Sequence, residues 1–129
     1  MSYSSGESYT EVSTVIEIPD HLKEKARLFL LNLKEEPEFV TLQPDGNIWL
    51  LSEEHVDLEV MAAFVKDLVK TVKLEEPIVV EWAVHCNTNA PGEFGGGAFV
   101  VMKGRPVYWI DPPKMAEKWI KQNKKRRKK

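Results

Sequence analysis

A single cysteine, Cys86, stands in a chain of 129 residues, so no internal disulfide can form and a disulfide-stapled secreted scaffold is excluded. No uninterrupted apolar run approaches the roughly 20 residues that span a bilayer, and the start, Met1 to Ser8, has neither a basic region nor an apolar core of a signal peptide. The chain is therefore expected to be soluble and cytoplasmic. Histidine is scarce too: His21, His55 and His85 stand far apart, and no pair of His, Cys or carboxylates has metal-ligand spacing with a second pair elsewhere. No metal and no cofactor is predicted. His85 and Cys86 are adjacent, and neighbours on a strand point to opposite faces, so they cannot act together as base and nucleophile. No internal repeat is present.

What the chain has is apolar bulk and an uneven charge. Hydrophobic residues make up 43% of it, with four tryptophans, and a domain of this length buries roughly two thirds of the surface its unfolded chain exposes. One α+β domain over residues 11–120 is expected, between a flexible leader at 1–10 and a basic disordered tail at 121–129. Residues 1–120 hold 11 Lys and Arg against 20 Asp and Glu, a balance of −9, whereas residues 121–129 hold seven basic residues and no acid. An acidic body repels nucleic acid; the tail attracts it.

Periodicity predicts the elements. Glu11 to Ile18 alternates, with Val12, Thr14, Ile16 and Ile18 on one face, as a half-buried strand does. Asp20 is placed to cap a helix whose Leu22, Ala26, Phe29, Leu30 and Leu33 form one apolar stripe. Phe39 to Gln43 and Ile48 to Leu51 flank Pro44-Asp45-Gly46-Asn47, a hairpin turn signal. Asp57 caps a second helix, in which Leu58, Met61, Ala62, Val65, Leu68, Val69 and Val72 recur at helical spacing. Ile78 to Cys86 is a long β-branched strand, and Ala98 to Lys103 with Val107 to Asp111 forms a second hairpin. Asp111-Pro112 opens a short last helix with Met115, Trp119 and Ile120 anchoring one side. The first six elements have the ferredoxin-like βαββαβ order, an antiparallel sheet with helices on one face, followed by a β-hairpin and a C-terminal helix. A meander of the last five strands, with the helices behind, is the alternative.

Between two of these strands lies the run Cys86-Asn-Thr-Asn-Ala-Pro-Gly-Glu-Phe-Gly-Gly-Gly97. Its candidates for binding a ligand or partner are Cys86, Asn87, Asn89, Glu93, Phe94, Gly95, Gly96 and Gly97, since glycine lets a backbone approach another molecule closely. The plainer alternatives are a small buried thiol at Cys86 and a β-bulge or wide turn at the glycines. Gly96 to Met102 also resembles half of the motif of single-strand RNA-binding domains, but Gly97 and Met102 replace the aromatics that would stack on bases, so strand patterning accounts for it. Lys121, Lys124, Lys125, Arg126, Arg127, Lys128 and Lys129 are the candidates for nonspecific nucleic-acid contact, the alternatives being a solvated tail, an acidic protein or an anionic surface. The run itself has no apolar residue to insert, and no membrane partner is predicted.

The segment Cys86 through Ala98, with Gly92-Glu93-Phe94-Gly95-Gly96-Gly97-Ala98 entering a strand, resembles a stretch in a family of small uncharacterised bacterial and phage proteins. The resemblance runs loosely from the first hairpin to the final helix and leaves out the basic tail. It implies a bacterial or phage setting and an accessory role, with no established activity. The expected function is therefore non-enzymatic protein binding, with a tail that adds nonspecific nucleic-acid affinity. A small-ligand domain or enzyme centred on Cys86 to Gly97 is the rival. Slow alkylation of Cys86 in the folded protein, becoming fast on unfolding, is the expected outcome for a core thiol. Rapid modification at neutral pH would mark an exposed, activated one.

Overall fold

A computed structural model describes residues 8–53, 55–86 and 95–127. Strand β1 (Ser8–Ile16) leads through a single 3-10 turn (Asp20–Leu22) into helix α1 (Lys23–Leu31). The hairpin β2 (Val40–Leu42) and β3 (Ile48–Ser52) follows, then helix α2 (Leu58–Val72) and strand β4 (Ile78–Cys86). Strands β5 (Gly95–Val101) and β6 (Tyr108–Ile110) precede helix α3 (Pro112–Arg127). All six strands form one antiparallel sheet in the order β2-β3-β1-β4-β5-β6.

The alternation read in the sequence sets which face is covered. Val12 and Ile16 of β1, Ile48 and Leu50 of β3, Ile78 and Val80 of β4, and Phe99 and Val101 of β5 are buried in one cluster with Ala26 and Leu30 of α1 and the apolar stripe of α2. Phe64 of α2 joins that cluster, tilted against Phe29 at 5.8 Å and edge-on to Phe39 at 5.8 Å, and so ties α1 and the approach to β2 onto α2. Its position lies outside the stripe expected from spacing. The aromatic contacts explain why it is nonetheless inside.

The local signals act as physics requires, with one exception. Asp57 caps α2: its Oδ1 accepts from the N–H of Glu59 at 3.0 Å and of Val60 at 3.3 Å. The β2–β3 turn closes through Gly46 N–H to Gln43 O and Gln43 N–H to Asn47 O, both 2.9 Å. Ile18 lies past the end of β1 yet stays buried, its N–H donating to Asn47 Oδ1 at 2.9 Å. Asp20, by contrast, caps nothing. The 3-10 turn begins after Pro19 without a side-chain cap, and Asp20 instead faces Lys23 at 3.0 Å in an exposed ion pair. On α1, Arg27 hydrogen-bonds Glu24 and also attracts it as a charge, which together lower that carboxyl below its ordinary pKa.

Several expected boundaries move. The sheet reaches back to Ser8, because Ser8, Tyr9 and Thr10 pair with Cys86, His85 and Val84. The first six elements follow the βαββαβ order, but the sheet departs from the four-stranded ferredoxin-like layout, in which β4 is an edge: here β4 is interior and β5 and β6 continue past it. The reason is that β4 offers nine extended residues with ladder groups on both sides, and β5 pairs with seven of them. A meander of the last five strands is excluded as well, since β1 lies between β3 and β4. Helix α3 also runs on to Arg127, through residues expected in a disordered tail, because Lys, Gln and Arg are good helix formers and positive charge is favourable at a helix C-terminus.

Helix α2 ends on Lys73, held in the left-handed region at φ 66° while its N–H and that of Leu74 both reach Val69 O. This is a glycine-type helix stop made by a residue with a side chain. Lys73→Gly is expected to stabilise the protein by about 0.5–1 kcal/mol, because removing Cβ strain outweighs the added freedom of the unfolded chain. Urea unfolding checks it; a lowered midpoint would be the contrary result.

Candidate functional site

The three glycines are neither a bulge nor a turn. They are ladder residues of β5: Gly95, Gly96 and Gly97 pair in regular register with Val84, Ala83 and Trp82. What they permit is a close approach within the protein itself. A Cβ on Gly97 would lie 2.2 Å from Ile110 O and 2.6 Å from Cζ2 of Trp82, and one on Gly96 would lie 2.5 Å from Trp82 O. The Trp82 indole thus lies across the bare backbone of its cross-strand partner, on the face that also carries Phe99 and Val101.

That indole forms one wall of a cleft of about 460 Å³, lined by Trp82, Trp109, Asp57, Leu58, Glu59 and Asp111. Trp109 enters from β6, edge-on to Trp82 at 6.1 Å and 63°, and tilted against Phe99 at 5.3 Å. Phe99 is fully buried, whereas Trp109 keeps 38% of its surface in solvent. The first turn of α2 brings Asp57 and Glu59, and the start of α3 brings Asp111, whose backbone carbonyl accepts from Met115 N–H at 3.0 Å. Among the described residues, three acidic ones and no basic one line the cleft. Two other hollows differ in kind. One of about 570 Å³ beside the end of β1 has Glu17, Glu75 and Glu76 but no aromatic wall, and one of about 480 Å³ beside β6 is lined by Val100, Met102, Arg105, Pro106, Val107 and Tyr108.

A second feature is α3 itself. It lies against β5, but Met115, Trp119 and Ile120, expected to anchor it, are 50%, 64% and 47% exposed. The core of twenty buried residues closes without any of them, so these three side chains of α3 remain largely in water. Residues 112–127 carry seven Lys and Arg and one acid, Glu117.

Of the residues singled out in the sequence, Gly97 lies under the Trp82 ring that lines the cleft, Gly96 pairs with Ala83, Cys86 ends β4 opposite Ser8, and Gly95 begins β5. Asn87, Asn89, Glu93 and Phe94 lie outside the described residues, as do Lys128 and Lys129; Lys121, Lys124, Lys125, Arg126 and Arg127 belong to α3. Sequence reasoning did not bring Trp82, Trp109, Asp57, Glu59 and Asp111 together. The one signal was a strand tryptophan followed by a glycine run able to pair with it, and that became a signal only once the register was known. Among the described residues no group of three His, Cys, Asp or Glu is arranged to hold a metal ion, and no helix is long and apolar enough to cross a membrane. No protein family, curated protein or solved structure matches the chain.

Gly97→Ala is expected to cost about 2–3 kcal/mol, since its methyl meets both a backbone oxygen and the Trp82 ring. Gly104, at φ 75° with open space around it, serves as the control, where alanine should cost about 1 kcal/mol from strain alone. Equal urea midpoints for the two variants would contradict the packing described here.

Proposed function

We propose that this protein acts by binding, as a non-enzymatic accessory protein in a bacterial or phage cytoplasm, with α3 as its contact element. The observation that carries the reading is the combination on one helix of exposed Met115, Trp119 and Ile120 with a strongly basic C-terminal half. Met115 and Trp119 are one turn apart, so they form a continuous apolar strip with Ile120 at its border. Exposed aromatic and Met side chains beside cations are what a protein interface uses for its central anchors and its rim.

The partner that suits this helix is a protein with an apolar groove rimmed by acidic residues. The acidic body of the chain, at −9 over residues 1–120, discourages close contact with nucleic acid except through the end of α3. Phosphate contacts there are nonspecific and add to affinity without choosing a target. A second reading, ligand binding next to the Cys86 to Gly97 segment, is favoured by the aromatic cleft that Trp82 and Gly97 build.

Two measurements separate the parts of this proposal. Replacing Lys124 to Lys129 by glutamine should remove most affinity for duplex DNA at nearly unchanged thermal stability, and the intact chain should show a log–log salt slope no steeper than about −6. Trp119→Ser with Ile120→Ser should remove proteins captured from a nuclease-treated bacterial lysate. Wild-type capture by that double variant would overturn the assignment of α3 as the protein-binding element.

A further inference from the structure

We infer that the cleft between Trp82 and Trp109 is a binding site for a methylated ammonium group. Two indoles meet there edge-on at 6.1 Å, and the remaining lining is Leu58 with the carboxylates of Asp57, Glu59 and Asp111. Indole faces attract cations through their negative quadrupole, and paired aromatic walls are the general means of holding quaternary ammonium ligands. The cleft, at about 460 Å³, falls in the roughly 300–1,000 Å³ range of small-ligand sites.

The acidic lining determines the sign of the ligand and the aromatic walls its kind. An anion is disfavoured by the acidic lining, with no basic residue among the described residues of the cleft. A bare metal ion is disfavoured because no three acidic, His or Cys side chains among the described residues converge to coordinate one. A primary ammonium carries three strongly hydrated N–H donors, for which the two indoles and Leu58 offer no acceptor. A fully methylated ammonium has no donor to satisfy. It gains from apolar contact with Trp82, Trp109 and Leu58 and from the field of the carboxylates, without displacing the cap of α2.

The glycine run explains why the site is where it is. Only a residue without Cβ at position 97 lets the Trp82 indole fold down onto β5, and that posture sets Trp82 beside Trp109. The glycine-rich segment serves the site by shaping its wall.

Such a group occurs on free metabolites and on trimethylated lysine side chains, and one experiment addresses both. The full chain, labelled with nitrogen-15, is titrated with choline chloride at constant ionic strength while the indole N–H resonances of its four tryptophans are followed. Saturable movement of the Trp82 and Trp109 signals is expected, with Trp49 and Trp119 nearly still. The neutral isostere 3,3-dimethylbutan-1-ol should bind about tenfold more weakly, the loss of one cation–π and charge contribution. Glu59→Gln, an exposed change, and Asp57→Asn, which keeps a good helix cap, should each weaken choline several-fold in a folded protein. A short peptide carrying trimethyl-lysine, compared with the same peptide unmodified, then separates the sources: tighter binding than choline assigns a peptide, weaker binding a free metabolite. Absence of saturable shifts at Trp82 and Trp109 with both choline and the methylated peptide, or equal affinity for choline and the neutral alcohol, would overturn the inference.

Discussion

The contact of the Trp82 indole with the bare backbone of Gly97 is the constraint on which this end of the molecule depends. It continues the packing of β4 on β5 beyond the buried pairs Ile78 with Val101 and Val80 with Phe99, and it does so where Ile110 O also presses in from β6. A side chain at position 97 would therefore meet atoms of both neighbouring strands. Trp109 then stands against both Trp82 and Phe99, linking β6 to the buried cluster under α2. The cleft is the space this arrangement leaves beside the first turn of α2.

The rest of the protein divides into a part that is closed and a part that is open. The closed part is the sheet face under α1 and α2, where twenty apolar residues pack without a buried polar or charged side chain among those described. The open part is α3, whose apolar side chains add nothing to that core and stand in solvent beside a concentration of positive charge. Under the proposed reading stability and binding fall on different elements, and changes on α3 should affect contacts more than folding.

Much of this architecture was legible in the sequence, and the reasons can be given residue by residue. Alternation at Val12 and Ile16 and the stripe from Met61 to Val72 marked buried faces because burial imposes periods of two and of 3.6. Asp57 was legible as a cap because its side chain acts within three residues. Asp20 was misjudged because a proline-led 3-10 turn competes for the same stretch. The glycines were misread because a glycine run favours a turn locally, while its pairing with β4 and the bulk of Trp82 are tertiary facts. The cleft was invisible for the same reason: Asp57, Trp82 and Trp109 are brought together only by the strand order. The reach of α3 was underestimated because a basic run reads as a solvated tail, although each of its residues is also compatible with a helix.

Whether Trp82 lies on Gly97 in solution is read from proton NMR of the folded chain. Protons held over an indole ring feel its ring current and come within reach of nuclear Overhauser transfer from the ring protons. At least one Gly97 Hα resonance is expected clearly upfield of an ordinary strand glycine, with cross-peaks to Trp82 Hζ2 and Hη2. Gly97 Hα signals at ordinary strand positions, with no cross-peak to Trp82, would contradict it.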